Sequence, residues 1–376
     1  MRLLICAGGT GGGVYPALAV LHQLTNECPD LQTLWVGGQG GMEEDLVQRA
    51  GVPFESVPAA GVHGVGLRQL PGNLGRLARG VLASRRILER FRPDALFFTG
   101  GYVAIPMALA ARLVSPRPRV VLYVPDIEPG LALKVLARFA DHIALTTEDS
   151  RAFFQGVRAH LSVTGYPIRP ELRSWEREAA RKHFGLHTDI PVLLVFGGSQ
   201  GARSINQALG RHLPALLAEL QVLHICGKRN LEEARQAAQT LSPELAQRYH
   251  LFDYLHGEEM GAALAAADLV LSRAGASCIG EFPYFGLPAI LVPYPYAWRY
   301  QQVNAEYLER HQAAIVLPDA DLQSRLADTV LTLARAPERL TAMRAAMSGL
   351  STPQAAQNIG HLLISPPSGQ GAKHHD

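Results

Sequence analysis

Cysteine is scarce in this 376-residue sequence: only Cys6, Cys28, Cys226 and Cys278 occur, and no two stand at the two-residue spacing of a metal or redox clip. Such usage excludes a disulfide framework and fits free thiols in a reducing compartment. An excess of one charge sign is lacking too. Thirty-five Lys and Arg against 33 Asp and Glu leave a formal +2, too weak a whole-molecule field to imply nucleic acid. No uncharged apolar run reaches the roughly 18 residues of a bilayer span, and the apolar start Leu3–Ala7 is too short for the core of a signal peptide. Membrane contact is therefore expected to be peripheral.

What is present is a folding composition, 48% hydrophobic and 18% charged with 36 Gly and 25 Pro, on a chain long enough for two domains. Strand-length apolar runs at Arg2–Ala7, Leu34–Gly37, Ala95–Phe98, Val120–Val124, His142–Thr146, Val192–Phe196, Val222–Cys226, Leu269–Ser272 and Ala289–Val292 alternate with helical stretches, which predicts α/β structure with parallel sheets. The pattern is duplicated. Leu3–Ala7 opens onto Gly8-Gly9-Thr10-Gly11-Gly12, and half a chain later Val192–Phe196 opens onto Gly197-Gly198-Ser199-Gln200-Gly201. Two doubly wound domains with a ligand cleft between them follow from this. The boundary is expected in Gly165-Tyr166-Pro167-Ile168-Arg169-Pro170, giving domains 1–165 and 166–344. A last helix near 345–363 is expected to return to the first domain, ahead of a loose tail at 364–376.

A strand that ends in consecutive glycines before a helix bares backbone N–H groups at the positive end of the helix dipole, a natural phosphate cradle. Gly8–Gly13, Gly197–Gly201 and Gly100-Gly101 all have this form. No Gly-Lys-Ser/Thr follows either main loop, and neither carries a spaced G-x-G-x-x-G with an acid about 20 residues on, which disfavours nucleotide hydrolysis and NAD chemistry. A further cluster, Ser272-Arg273-Ala274-Gly275-Ala276-Ser277-Cys278-Ile279-Gly280-Glu281, reads as strand end, turn and helix. It places Glu281 about one and a half turns into that helix, where a carboxylate can accept both hydroxyls of a ribose.

At these motifs the sequence resembles the MurG family, peripheral membrane glycosyltransferases of peptidoglycan synthesis with the two-domain GT-B fold. Six segments carry the likeness in order: Gly8-Gly9-Thr10-Gly11-Gly12, Gly100-Gly101-Tyr102-Val103, Gly165-Tyr166-Pro167-Ile168-Arg169, Gly197-Gly198-Ser199-Gln200-Gly201-Ala202-Arg203, Ser272–Glu281, and Gln301-Gln302-Val303-Asn304-Ala305. The resemblance implies two Rossmann-like domains facing a cleft. The implied reaction is inverting transfer of N-acetylglucosamine (GlcNAc) from UDP-GlcNAc to the C4 hydroxyl of the muramoyl sugar of lipid I, giving lipid II. On the donor side it implies Ser199, Gln200 and Gly201 at the diphosphate or uridine, Arg169 at the phosphates, and Glu281 with Ala276 and Ser277 at the ribose. Gln301 or Gln302 would take the GlcNAc hydroxyls. It also implies Thr10, Gly11, Gly12, Gly13, Gly100, Gly101 and Tyr102 as acceptor or phosphate loops. No metal and no cofactor are called for, since UDP-GlcNAc is a substrate and loop amides with arginines can hold a leaving UDP. Arg203 and Arg273 read either as phosphate ligands or as partners of structural carboxylates.

Two departures stand out. The family's first loop usually ends in His, where this chain has Gly13. Its usual His-Glu-Gln-Asn run before Pro-Gly is replaced by Tyr123-Val124-Pro125-Asp126-Ile127-Glu128-Pro129-Gly130, with Asp126 where the Asn stands. An inverting transfer needs one base, and Asp126 is the first candidate. It reads equally as the cap of a helix expected over Gly130–Phe139. His63 and Glu128 are the other candidates.

Between Val65 and Arg92 stand Arg68, Arg76, Arg79, Arg85, Arg86, Arg90 and Arg92 against the single acid Glu89, interleaved with Leu74, Leu77, Val81 and other apolar residues. A basic amphipathic helix suits an anionic membrane. Together with the lipid-linked acceptor that the resemblance implies, this places the chain, as an expectation, at the cytoplasmic face of the cell membrane. The resemblance implies UDP-GlcNAc and lipid I as partners, with other cell-wall synthesis proteins of cell shape and division as further ones, and no nucleic acid is expected. A transferase for another lipid, or a UDP-sugar-binding scaffold, is the alternative.

Overall fold

The structure is a computed structural model that describes residues 1–8, 11–41, 43–58, 70–198, 201–296 and 299–364. The chain divides into two compact units, Met1–Pro167 with the chain from Gln354 onward, and Ile168–Pro353. The first is built on seven strands: β1 (Arg2–Cys6), β2 (Gln32–Gly38), β3 (Phe54–Val57), β4 (Ala95–Phe98), β5 (Arg119–Val124), β6 (His142–Leu145) and β7 (His160–Val163). They lie parallel in the order β3-β2-β1-β4-β5-β6-β7. β1 and β4 are buried along almost their whole length, which is why they read as unbroken apolar runs: helices cover both faces of a parallel sheet. The helix Ala355–Ile364 belongs to this unit. Its Gly360 sits close to Leu24 of the helix Gly11–Glu27, and Arg119 donates to the Leu362 carbonyl at 3.2 Å.

The second unit repeats the winding with β8 (Val192–Phe196), β9 (Gln221–Ile225), β10 (Tyr249–Phe252), β11 (Leu269–Ser272), β12 (Ala289–Leu291) and β13 (Ala314–Val316). Their order is β10-β9-β8-β11-β12-β13, all parallel. In each unit the first strand lies between the second and the fourth. The connections therefore diverge at the carboxyl ends of β1 and β4 and of β8 and β11, the positions where doubly wound sheets take ligands.

Four strands are not among the expected runs: β3, β7 and β10, whose sequences carry polar residues, and β13, a three-residue strand within the short apolar run Ala313–Leu317. All four are sheet edges, and none is buried throughout. The single helix expected near 345–363 is two helices, Pro337–Ser348 in the second unit and Ala355–Ile364 in the first. Gly349 and Pro353 fall between them, and neither residue favours a continuing helix. Residue 364, assigned to the tail, ends the last helix, and 365–376 lie outside the described residues.

Burial pushes three histidines below their ordinary pKa. His224 falls to about 3, His142 is lowered also by nearby His160 and Arg119, and His250 also by His187. A base whose folded pKa is depressed adds stability in full above its unfolded value, near 6.5, and loses it as pH falls toward the folded value. Acidification from pH 7 to 5 is expected to lower the melting temperature, with His224 alone contributing a loss of about 2 kcal/mol at pH 5. A melting temperature constant over that range would show that these rings protonate without cost.

Candidate functional site

In the first unit the loops after β1, β4 and β5 converge. Gly11–Gly13 form the opening turn of the helix Gly11–Glu27, whose leading amides have no partner within the helix. The Thr99 hydroxyl donates to the Gly13 carbonyl at 2.8 Å. Gly101 has φ +85°, and a Cβ there would lie 2.9 Å from the Gly8 carbonyl oxygen, so the first two loops touch only because that residue is glycine. Gly100 rests against Leu133, a residue of the helix Leu131–Leu136 that follows Asp126. Tyr102 is exposed beside them, whereas Thr10 lies outside the described residues.

Asp126 is half-buried just past β5. The helix after it starts at Leu131 with Gly130 as its N-cap and no side-chain capping bond. Gly130 and not Asp126 is thus the N-cap residue of this helix, which corrects that part of the cap reading. Tyr123, fully buried, donates its hydroxyl to Thr146 Oγ1 at 2.9 Å, and Thr146 donates in turn to the carbonyls of Val124 and Pro125 at 2.8 and 3.0 Å. Burial holds the Tyr123 phenol above its usual range, opposed by its bond to Thr146 and reinforced by the Asp126 carboxylate. Glu128 faces Lys134 Nζ at 3.6 Å, and His63 lies outside the described residues. Sequence reading missed Glu43. This carboxylate is 2% exposed and accepts from the Gly38 amide at 2.9 Å. It also fills the space that side chains at Gly8 and Gly41 would need. The glycine-dense stretch Gly37–Gly41 before it was the available signal.

In the second unit β8 runs into Gly197 and Gly198, and Gly201-Ala202 leads into the helix Arg203–Leu217. Ser199 and Gln200 lie outside the described residues. Gly201 donates to the Gly198 carbonyl at 3.0 Å. Beyond β11, Ala276–Ile279 form a single 3₁₀ turn capped by Gly275, and the chain breaks at Gly280. Glu281 therefore opens its own short helix, Glu281–Phe285, which corrects its expected place one and a half turns into a longer one. It is only 6% exposed, so it is no solvated helix charge. Arg169 Nη2 lies 3.3 Å from its Oε1, and Ser277 also bonds to it. Burial raises the Glu281 pKa while Arg169 pulls the other way. Ala276 is buried and Ser277 half-buried in the same turn.

Asn304, fully buried, donates to the Ala274 carbonyl at 3.1 Å, docking the helix Tyr300–Arg310 onto this turn. On that helix the two glutamines part company. Gln301 accepts from the Tyr294 amide at 2.9 Å, facing the loop after β12, while Gln302 is exposed and donates to Glu306 at 2.8 Å. Arg273 pairs with Asp319 at 2.5 Å, donates to Ser204 at 2.8 Å and reaches the Val292 carbonyl at 3.1 Å. Its donors are engaged in tying the strand ends together. Arg203, largely exposed, has Glu233 at 3.8 Å.

The helix Leu70–Phe91 has the anticipated two faces. Ile87 and Leu88 enter the core, Leu77 and Val81 are half-buried, and Leu74 and Leu82 are 53% and 58% exposed among Arg76, Arg79, Arg85 and Arg86. Arg85 is salt-bridged to Glu89 at 2.7 Å. Among the described residues no helix is long and apolar enough to cross a membrane.

Residues 3–145 match the glycosyltransferase family 28 N-terminal domain, and residues 192–359 its C-terminal domain. A protein of Roseiflexus sp. (strain RS-1) is 41% identical over 96% of this chain and 94% of its own length. One of Desulforudis audaxviator is 37% identical over 96% and 98%. Both are named UDP-N-acetylglucosamine--N-acetylmuramyl-(pentapeptide) pyrophosphoryl-undecaprenol N-acetylglucosamine transferase. The crystal structure of Acinetobacter baumannii MurG is similar with a TM-score of 0.74 and 26% identity, over 96% of this chain and 99% of that one.

Because Arg169 and Glu281 are both largely buried, removing one partner of the pair should cost far more than an exposed ion pair would. Glu281→Ala is expected to destabilise the second unit by about 3 kcal/mol. Glu281→Gln, which keeps a hydrogen-bond acceptor, should lose about half as much. Urea titration followed by tryptophan fluorescence measures both, and wild-type stability in both variants would show the pair to be screened by solvent.

Proposed function

The chain belongs to the MurG family, within glycosyltransferase family 28, and from that premise we propose that it moves GlcNAc from UDP-GlcNAc to the C4 hydroxyl of lipid I, forming lipid II. The observation that carries this reading is the near-full-length likeness to transferases of that name. On the proposed mechanism the acceptor oxygen attacks the anomeric carbon from the face opposite UDP. The bond from that carbon to the UDP oxygen breaks as the new one forms, and the configuration inverts. Asp126 takes the proton of the attacking hydroxyl. The departing diphosphate gathers negative charge, which the leading amides of the helix Arg203–Leu217 and the guanidinium of Arg169 offset.

The proposal gives Glu281 the ribose hydroxyls. Its burial beside Ser277 and Arg169 supports that role, since a carboxylate held by a fixed cation presents its remaining lone pairs in one orientation. Gln301 rather than Gln302 takes the sugar hydroxyls, supported by its direction toward the loop after β12. The reaction calls for no cofactor, because UDP-GlcNAc is consumed as a substrate. Asp126 as base is supported by its half-buried position and by the Tyr123–Thr146 bonds that hold the carbonyl of Pro125.

The deciding experiment measures transfer of labelled GlcNAc from UDP-GlcNAc to a lipid I analogue beside a diacylglycerol acceptor. Product is expected on the lipid I analogue. Product on diacylglycerol alone would reassign the acceptor, and UDP-GlcNAc binding without product on either would mark a scaffold. In the same assay Asp126→Asn keeps the side-chain shape and removes the proton acceptor, so kcat should fall about 10²–10⁴-fold with the donor KM nearly unchanged. An unaltered kcat would return the base to His63, Glu128 or a bound water.

At the membrane, the proposal is reversible binding through the helix Leu70–Phe91 to the cytoplasmic leaflet. Its exposed Leu74 and Leu82 would enter the headgroup region while the arginines meet anionic lipid. Replacing Arg76, Arg79, Arg85 and Arg86 by Gln is expected to abolish low-salt co-sedimentation with phosphatidylglycerol vesicles and to leave activity on a soluble acceptor intact. Equal sedimentation of variant and parent would sink the membrane role.

A further inference from the structure

Behind the glycine turn of the second unit lies a chain of buried polar groups that none of the motifs accounts for. Gly201, at φ +75°, passes so close to the Cys226 carbonyl at the end of β9 that a Cβ would lie 2.3 Å from its oxygen. That oxygen accepts from Asn206 Nδ2 at 2.8 Å and from Asn230 Nδ2 at 3.1 Å. Asn206 stands in the first turns of the helix Arg203–Leu217. With its amide nitrogen committed to Cys226, its Oδ1 faces His224 Nε2 at 3.0 Å, and His224 Nδ1 faces the Tyr249 hydroxyl at 2.7 Å.

Asn206 Oδ1 is purely an acceptor, so His224 Nε2 carries the hydrogen. Burial lowers the His224 pKa to about 3 and keeps the imidazole neutral, so Nδ1 accepts from the Tyr249 hydroxyl. His224 is 1% exposed. Both its nitrogens are used inside the protein, so it offers nothing to a ligand and acts through Asn206.

We propose that His224, locked by Tyr249, is a positioning residue that fixes Asn206 and thereby the seating of Gly201 and the helix start on the Cys226 carbonyl, the anchor to which the proposed donor loop returns. The inference rests on the reading of Gly197–Gly201 as the diphosphate loop. Polar groups supporting a binding loop from behind matter because a small displacement of several amides weakens all their bonds to one anion together.

Calorimetric titration of the full chain with UDP tests it, alongside melting temperature and the KM for UDP-GlcNAc. Gly201→Ala forces a clash at the turn and should abolish UDP binding. His224→Phe keeps a ring and removes both bonds, and it should weaken UDP about tenfold and raise the donor KM while kcat at saturation stays within about twofold. His224→Gln, which can donate and accept, should recover to within about threefold of wild type. Val330→Ala, a cavity variant in the same core, should lower the melting temperature with unchanged UDP affinity, separating positioning from general loosening. Should His224→Phe fail to fold, Tyr249→Phe, which loses a single hydroxyl, reads the same coupling with a weakening of about threefold. UDP binding lost in Gly201→Ala but kept in His224→Phe or Tyr249→Phe overturns the inference alone. Binding kept in Gly201→Ala overturns the donor-loop reading and the inference with it.

Discussion

Each unit is organised around an approach of backbone to backbone that leaves no room for a side chain. Gly101 meets the Gly8 carbonyl in the first, and Gly201 meets the Cys226 carbonyl in the second. A carbonyl at a strand end needs a donor, and a helix start has amides to spare. When the two are pressed together through glycine, the helix axis is fixed relative to the sheet and the leading amides stay directed away from it. The polar side chains nearby serve that seating from the side: Thr99 on the Gly13 carbonyl, Asn206 and Asn230 on Cys226. A larger residue at either contact would shift the helix, and with it the group of leading amides proposed to meet negative charge.

Charge is handled by the same economy of partners. Near the strand ends of the second unit, Arg169 faces Glu281 and Arg273 is surrounded by Asp319, Ser204 and two carbonyls. At the other end of that sheet Asp268 binds Arg177 and Arg181 and accepts from the Val192 amide at 2.9 Å. Buried pairs of this kind seldom add much net stability, because desolvation consumes most of the Coulombic gain. What they supply is geometry, since each partner is expensive to leave alone and so holds the other in one place. Arg273 draws β11, the chain after β12 and the start of the helix Arg203–Leu217 to a single point, and these segments lead into the proposed donor-site residues Glu281 and Gln301.

The interior of the fold was legible and its margins were not, for a physical reason. Central strands such as Leu193–Val195 or Leu96–Phe98 are covered on both faces, so burial demands an unbroken apolar run that stands out. Edge strands such as His160–Val163 and Tyr249–Phe252 are wet on one side, so their sequences carry polar residues and resemble loops. Likewise the glycine turns were visible because only glycine satisfies them. The depth of Glu281 in its helix was not, because Gly280 breaks the chain through a local backbone torsion that periodicity does not register. Gln301 and Gln302 are alike in sequence terms, and only the Tyr294 amide distinguishes them. Glu43 was hidden because an acidic residue opening a helix reads as surface; the glycines just before it mark a close approach, but only the fold shows that the approaching group is this carboxylate.

The glycine at position 13, where the resemblance leads one to expect His, also follows from how the first loop is held. The contact that fixes this turn is made by the carbonyl of Gly13, which accepts from Thr99, and it requires no side chain at that position. A Cβ there would lie 3.2 Å from the same Thr99 oxygen, so the present packing is slightly better served by glycine. Losing an imidazole at this point removes a titratable group while leaving the helix start and its amides where they were. Fold and chemistry are separable here because the backbone carries the first and the side chain the second. On the proposed mechanism a replacement base need not come from the same loop; it need only face the same acceptor from a segment held equally firmly. The segment after β5 is held with such firmness by this chain's own residues. Tyr123 and Thr146 pin the carbonyls of Val124 and Pro125, Gly100 touches Leu133 on its far side, and Asp126 stands between those two anchors in sequence.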